Sequence, residues 1–550
     1  MSVKTSTWCA ILLFVAAAMA AGWRLWTASR GTDFFSDDAY YYAVAARNFV
    51  DSGRLTFDGT TLTNGFHPLL LGLEIALYAV IGTSHGPAFD YLVLLAAVAT
   101  IYVGTLGAVL WKLVRMSRLT ESSLPLAVAL IMFSVLLTPR FTAVYLNGME
   151  SVLELPLLAA LAWAMLRSRW MLAGWCGAIL ALARLDTLPF IILPLTLLCA
   201  WNQARSGGSP VRVAVQLTAP ALLSVGLLVL AYHGIFEHAL PISGAIKSTF
   251  PLIHFQPGNL IGNSEERLGL RVSILGAVLG ILLLLRPGIL GSTYRRTGLI
   301  SGLLSLLQAV ALVLFQRWSK ATPSWYLGAM LPLGVLAGAI GMANRFKVRS
   351  LERLAMVAVL GAIALNVCWM AGVSGRLGTP TGPSLPTAKE HQGAMLDLLR
   401  FVESRPPGQR WAATDCGKLA FWSRRTFVNL DGLVNDFGYQ EHLRDQELTR
   451  YLGEHGVRYL VIGAWDLPVW EPNTAGEPIY HHRVAPQLFS GEYQAYDFYL
   501  YSYVFSKFSE RIRIPRSAEL WRSEATRDGR AMAKFVVFDL DLVRRPNGSD

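Results

Sequence analysis

The chain of 550 residues is 53% hydrophobic and only 15% charged, with a mean hydropathy of +0.42, whereas soluble proteins carry about 25% charged residues. This excludes a single soluble globule and points to a polytopic membrane protein. The net charge of +11 falls largely in short clusters between apolar runs, at 111–118, 167–169, 286–296 and 344–349. That is the pattern of a positive-inside bias rather than of a nucleic-acid surface.

The first apolar run, 8–26, follows Lys4 and resembles a secretory signal, but "AGWRLW" offers no small-residue cleavage site and many similar runs follow. It is read as a retained anchor. A helix needs about 17–25 apolar residues to cross the hydrocarbon. Further candidates are 88–111, 122–138, 150–166, 170–183, 187–201, 213–233, 271–285, 298–316, 325–343 and 352–373. The stretch 68–82 is shorter and contains Glu74. Reading it as a helix lying on or dipping into the outer surface puts every basic cluster inside, giving about eleven spans with the N-terminus cytoplasmic and the tail outside. The two segments within 170–201 could instead form one broken or tilted helix.

The expected organisation is a transmembrane domain over 1–373 with a first outer loop at 27–87, a linker at 374–387 and an extracytoplasmic α/β domain at 388–550. Strands are predicted near 410–415, 426–431, 457–463 and 533–542, and an amphipathic helix over 440–456. Of five cysteines, Cys416 alone lies in the polar tail, so neither a disulfide framework nor a zinc site is indicated.

The unusual residues gather on the predicted outer side. "SDDAYYYAVAARNFVDSG" (36–53) reads as an amphipathic helix with Ser36 or Asp37 at its N-cap and Gly53 past its end. Capping explains one aspartate, not the pair Asp37-Asp38. Adjacent side chains on a helix diverge by about 100°, so both cannot face one reacting atom. If one acts, the other caps, orients or binds a cation. Tyr41 and its aromatic neighbours suit an interfacial belt or stacking on a sugar. In "TLTNGFHPLL", Asn64-Gly65 is a turn signal and His67-Pro68 a helix start. Glu150, in "YLNGMES", is read as turn and N-cap. Arg184 and Asp186 are either a mutual charge pair or a functional one. Lys247 alone would signify only solubility. Asp415, Asn429, Asp431 and Asn435 fit turn chemistry, or contact with an acceptor glycan.

Together these pieces resemble the polyprenyl-phosphate-dependent membrane glycosyltransferases of the GT-C class. The acidic pair after the first span and the return through "TNGFHPL" carry the likeness. "NGMES", "ALARLDTLPF", "LPISGAIK", "WYLGAMLPL" and "GKLAFWSRRTFVNLDGLVN" follow in the family's order, with Leu185 where the motif has proline and Ser243 where it has asparagine. Within the class the chain is most similar to terminal arabinofuranosyltransferases of actinobacterial cell walls. The resemblance implies an inverting transferase in a bacterial cytoplasmic membrane. It would move a sugar, such as arabinofuranose, from a polyprenyl-phosphate donor to a cell-envelope glycan or glycolipid, with membrane lipids and no nucleic acid as partners.

The same resemblance makes an acidic residue of the first loop the base, Asp37 before Asp38. A carboxylate can take the acceptor hydroxyl's proton. A phosphate leaving group has no need of the second, acidic carboxyl that hydrolases use, but it does need positive charge. Lys247, Arg184, His67 and Arg317 are the candidates for that, and Tyr41 and Asn64 for further donor contacts. Room remains for a divalent cation, without an identifiable ligand set. A transporter or flippase of lipid-linked glycans is the alternative; it predicts repeats and mid-membrane ionisable groups, and no repeat is found. A scaffold displaying the tail would leave the order of the motifs unexplained.

Overall fold

The computed structural model describes residues 3–29, 35–120, 122–255, 266–288, 290–315, 324–370, 388–445, 447–463, 495–501, 509–523, 526–527, 530–531 and 535–544. The predicted apolar segments are helical. They form α1 (Val3–Ser29), α4 (Pro87–Thr120), α5 (Leu124–Leu136), α7 (Ser151–Leu166), α8 (Trp170–Ala183), α9 (Leu193–Arg205), α10 (Pro210–Phe236), α12 (Glu266–Leu285), α13 (Ser292–Phe315), α14 (Met330–Ala343) and α15 (Val348–Met370). Among the described residues, six of these are long and apolar enough to cross a membrane: α1, α4, α10, α12, α13 and α15. Shorter apolar helices, α3 (Pro68–Ile81) among them, pack between or beside them. The molecule is a polytopic helical membrane protein. Small residues let the closest pair meet: Gly276 and Gly280 of α12 face Gly334, Gly338 and Gly341 of α14, where added methyl groups would collide with the opposing backbone.

Short helices decorate one end of this bundle: α2 (Asp37–Ser52), α6 (Pro139–Tyr145) and α11 (Ile242–Lys247). Gly53, at φ 70°, ends α2 and donates its N–H to the Phe49 carbonyl at 2.8 Å. The segment 170–201 is broken. α8 stops at Ala183, Arg184 is extended, and the chain resumes through a π-helical turn at Leu188–Ile192.

The C-terminal part is an α/β region. It holds α16 (Ala388–Glu403), β1 (Arg410–Ala413), α17 (Gly417–Ser423), β2 (Thr426–Asn429), α18 (Phe437–Arg444), α19 (Leu448–Glu454), β3 (Val457–Gly463), β4 (Ala495–Tyr501), β5 (Ser509–Pro515), β6 (Glu519–Arg522), β7 (Thr526–Arg527), β8 (Arg530–Ala531) and β9 (Phe535–Asp539). The main sheet runs β2-β1-β3-β9-β6, with β1 parallel to both neighbours and β9 antiparallel to β3 and β6. Hairpins β4–β5 and β7–β8 form separate sheets, and Ile514 of β5 packs into the main sheet's outer core. The helix predicted over 440–456 is two helices. Leu443 and Leu448 are both fully buried, yet five residues apart on one continuous helix they would point about 140° from each other. The break turns both inward. The strand predicted over 533–542 turns helical from Leu540.

Alternation along β1 shows where the sheet sits. Trp411 and Ala413 join the core that also contains Tyr40, Tyr41, Tyr42 and Phe66 of the membrane part. Ala412 faces the other way, into a core with Val428, Leu460, Tyr439 and Leu452. The α/β region therefore shares one hydrophobic core with the helix bundle. The linker predicted at 374–387 lies outside the described residues.

Candidate functional site

The start of α2 is placed by the turn 147–150. The Asn147 carbonyl accepts from the Ser36 N–H at 3.2 Å, and the Asn147 side chain accepts from the Met149 N–H at 2.9 Å. Gly148 adopts φ 82°, and a methyl group there would strike the Phe35 ring and Ala39. Glycine is therefore required twice over, by backbone and by space. This contact brings the turn that carries Glu150 to the start of α2, where the two aspartates part company. Asp38 and Tyr42, four residues apart, share the face of α2 that turns to a cavity. Asp37 and Tyr41 share the adjacent face, toward the α/β region, and Tyr41 also reaches the cavity wall.

The cavity has a volume of about 640 Å³. Its polar pole holds Asp38, His67, Glu150, Arg184, Asp186 and Lys247, with Glu154 and Tyr326. Its flank is mainly apolar, built from Phe190 of the π-turn, Leu228 and Val229 of α10, Phe250, and Leu312 and Phe315 of α13, with Gln308 of α13 among them. Leu433 and Val434 of the α/β region also line it.

Lys247 donates to Asp38 Oδ2 at 3.2 Å, the two side chains being 16% and 17% exposed. Burial would pull the Lys247 ammonium down, but Asp38 beside it holds it above the usual lysine range. The lysine's loop is pinned at both ends. Asn64 donates to the Leu240 carbonyl at 3.2 Å and accepts from the Ile242 N–H at 3.0 Å, while the Thr249 N–H donates to the Phe315 carbonyl at 2.8 Å. Asn64, expected at the donor, instead clamps this loop.

Arg184 is 4% exposed. It donates to Glu150 Oε1 at 3.0 Å, forks onto Asp186 at 3.1 and 2.9 Å, lies 3.7 Å from Glu154, and covers the Tyr326 ring at 4.5 Å. Its guanidinium is thus committed to three carboxylates, the arrangement expected of a charge pair, with a cavity position added. Glu150 sits at the N-cap of α7, but its side chain makes no cap bond. It is 1% exposed, and its Oε2 is buried without a hydrogen-bond partner. The sequence reading missed it as a site residue.

His67 Nε2 lies 3.7 Å from Glu150 Oε1, and its Nδ1 has no hydrogen-bond partner. Burial, reinforced by Arg184 and Lys247 against the pull of Glu150, holds the imidazole below its usual range. That shift favours the neutral ring over the cationic role expected of it. Arg317 lies outside the described residues. Among the described residues no group of three or more His, Cys, Asp or Glu is arranged to hold a metal ion; the acidic groups of the pole answer to Arg184 and Lys247 instead, so no step is assigned to the divalent cation for which the sequence left room.

Asp37 is not in the cavity wall. Its Oδ2 accepts from the Gly417 N–H and its Oδ1 from the Lys418 N–H, each at 2.8 Å. Burial pushes this carboxyl up, against the opposing pull of Lys418 and the two N–H bonds. Tyr41 donates to Asp431 Oδ2 at 3.0 Å and accepts from Asn429 at 2.9 Å. Tyr40, Tyr41 and Tyr42 are all buried, so the interfacial belt does not hold for them. Asn429 and Asp431 join the same contact rather than an exposed glycan surface.

Fold and site define a helical membrane protein whose α/β region roofs an amphipathic cavity. The family described as "Domain of unknown function (DUF8728)" matches residues 386–513, and no curated protein matches the chain. Among solved structures the chain is similar to the archaeal oligosaccharyltransferase AglB from Archaeoglobus fulgidus, in complex with an inhibitory peptide and a dolichol-phosphate. Identity is 12%, the TM-score 0.47, and the match covers 83% of this chain and 69% of that one. A second structure of the Archaeoglobus fulgidus oligosaccharyltransferase, with zinc and sulfate, matches at 13% identity and a TM-score of 0.42, over 82% and 68%.

Proposed function

We propose that the chain is an inverting GT-C-type glycosyltransferase that moves a sugar from a polyprenyl-phosphate donor to a glycan or glycolipid. The observation that carries this reading is the cavity itself. One pole presents a carboxylate and an ammonium 3.2 Å apart, and the adjoining flank is predominantly apolar, as a ligand joining a charged head to an apolar tail requires.

In this reading Asp38, rather than Asp37, is the base. It accepts the proton of the acceptor hydroxyl as that oxygen attacks the anomeric carbon. The bond from that carbon to the phosphate oxygen breaks, and the lipid phosphate departs as an anion. Lys247 takes the developing charge. His67, neutral and with nitrogens to offer, and the unpartnered oxygen of Glu150 hold sugar hydroxyls. Arginine at 184 keeps Glu150 in place. Arabinofuranose is the sugar suggested by the sequence likeness, and the placement of the cavity end outside a bacterial cytoplasmic membrane is suggested by the basic clusters at the opposite loops.

The test is to give purified protein in liposomes a panel of radiolabelled polyprenyl-phosphate sugars with a cell-envelope extract. A new glycosidic product supports the reading. Movement of donor across the bilayer with no new glycosidic bond replaces it with the flippase alternative.

A further inference from the structure

The two aspartates are adjacent in sequence but serve different parts of the molecule. Asp38 faces the cavity. Asp37 spends both carboxylate oxygens on the backbone of Gly417 and Lys418, 380 and 381 residues away. One turn on, Tyr41 makes a second polar contact with the same region, through Asp431 and Asn429. Both sides of the joint are shaped for closeness. A methyl group on Gly417 would run into the Asp37 carbonyl oxygen, and one on Gly65 into the Leu433 carbonyl oxygen. Phe437 stacks on His238, ahead of the lysine-bearing loop, with centroids 3.6 Å apart. Thus the α/β region touches the base-bearing turn, the return loop and the approach to Lys247.

We propose that Asp37 is a positioning residue that locks the first turn of α2 to the Cys416–Lys418 turn, so that the α/β region sets the direction of Asp38 and completes the active site. This rests on Asp38 as the base. A carboxylate held by two backbone N–H groups is fixed in rotation about both its bonds, and the backbone of residue 37 is fixed with it. The next residue, about 100° around the helix, then has one direction in which to project. Release of the joint leaves Asp38 and Lys247 chemically intact but loosely aimed, and a small misplacement of a reacting group costs rate far more than affinity.

Asp37→Asn puts an amide NH2 against one of the two N–H donors. Gly417→Ala disturbs the joint from the other side, without altering any ionisable group. In each variant kcat is expected to fall about tenfold to a hundredfold with the donor KM within about twofold. The residual activity keeps the acid limb of the wild-type pH–rate profile, because the base is still present. Deuterium uptake at the Gly417 and Lys418 amides rises in Asp37→Asn without any substrate, so this readout is independent of activity. Wild-type kcat in both variants, unchanged exchange at these amides, or disappearance of the acid limb in Asp37→Asn would each overturn the proposal. A wild-type protein that transfers no sugar sinks the reading of the cavity instead, while the exchange difference still decides whether the joint exists.

Discussion

Asp38 lies 3.2 Å from Lys247 across 209 residues of chain, so carboxylate and ammonium are delivered by two separately anchored segments. α2 is fixed through the 147–150 turn and the α/β region; the lysine loop is fixed through Asn64 and α13. They meet at one pole of a largely apolar cavity.

Lys247→Gln removes the charge proposed to meet the leaving phosphate. The expected loss is about 10²-fold or more in kcat, with a smaller change in donor KM. Lys247→Arg keeps the charge and should recover part of the rate. Steady-state kinetics read both, and equal rates in wild type and Lys247→Gln would remove Lys247 from the mechanism.

Arg184→Met leaves Glu150, Glu154 and Asp186 without the guanidinium that joins them. Stripping a buried network of its cation is expected to cost about 3–5 kcal/mol, seen as a large fall in the thermal midpoint in detergent. A loss under about 1 kcal/mol would mean that the carboxylates find other partners and that the network is not structural.

Gly65→Ala drives a methyl group into the Leu433 carbonyl, whereas Gly72→Ala, in α3, meets nothing within 4 Å. The first should destabilise by about 1–3 kcal/mol through overpacking; the second should be neutral or slightly stabilising. Matching thermal midpoints for the two would show that the α/β region does not sit against the return loop in solution.

Burial pushes the Asp431 carboxyl up to about 6, above the value of about 3.9 for an aspartate in an unfolded chain. Tyr41, Asn429, Asp37, Cys416 and Asp415 face it. The folded state therefore holds a proton that the unfolded state has lost between pH of about 4 and about 6. The stabilisation from this group is complete below that window and gone above it. Asp431→Asn retains an oxygen to accept from Tyr41 and cannot ionise. Its thermal midpoint should fall less than that of wild type as pH rises from about 4 to about 7. Parallel curves would show that Asp431 is not the titrating group.

Much of the fold was legible because long apolar runs and basic clusters are local signals. The helices appeared where hydropathy put them, and three of the four strand predictions coincide with β1, β2 and β3. The break between α18 and α19 was missed because the amphipathic pattern of 440–456 does not state that Leu443 and Leu448 must turn inward together. At the site, Asp38, His67, Arg184 and Lys247 meet in one cavity, while Asp37 and Asn64 make their contacts outside its wall. Local sequence showed that Asp37 and Asp38 point apart; it could not show that a turn 380 residues later would claim one of them. Glu150 was read as a cap for the same reason, since its partner Arg184 is 34 residues away. A signal was present in the i, i+4 pairs Asp37/Tyr41 and Asp38/Tyr42, which mark two polar faces on one short helix.

Single-turnover transfer by Asp38→Asn, from a saturating labelled donor in protein shown to be folded, most directly tests whether the cavity carboxylate is the base. Loss of the base should slow the step by about 10²–10⁴-fold and erase the acid limb of the pH–rate profile, while Asp37→Asn keeps that limb. An Asp38→Asn enzyme that transfers within about twofold of the wild-type rate would contradict the account, because a carboxylate contributing general-base catalysis cannot be removed at so small a cost.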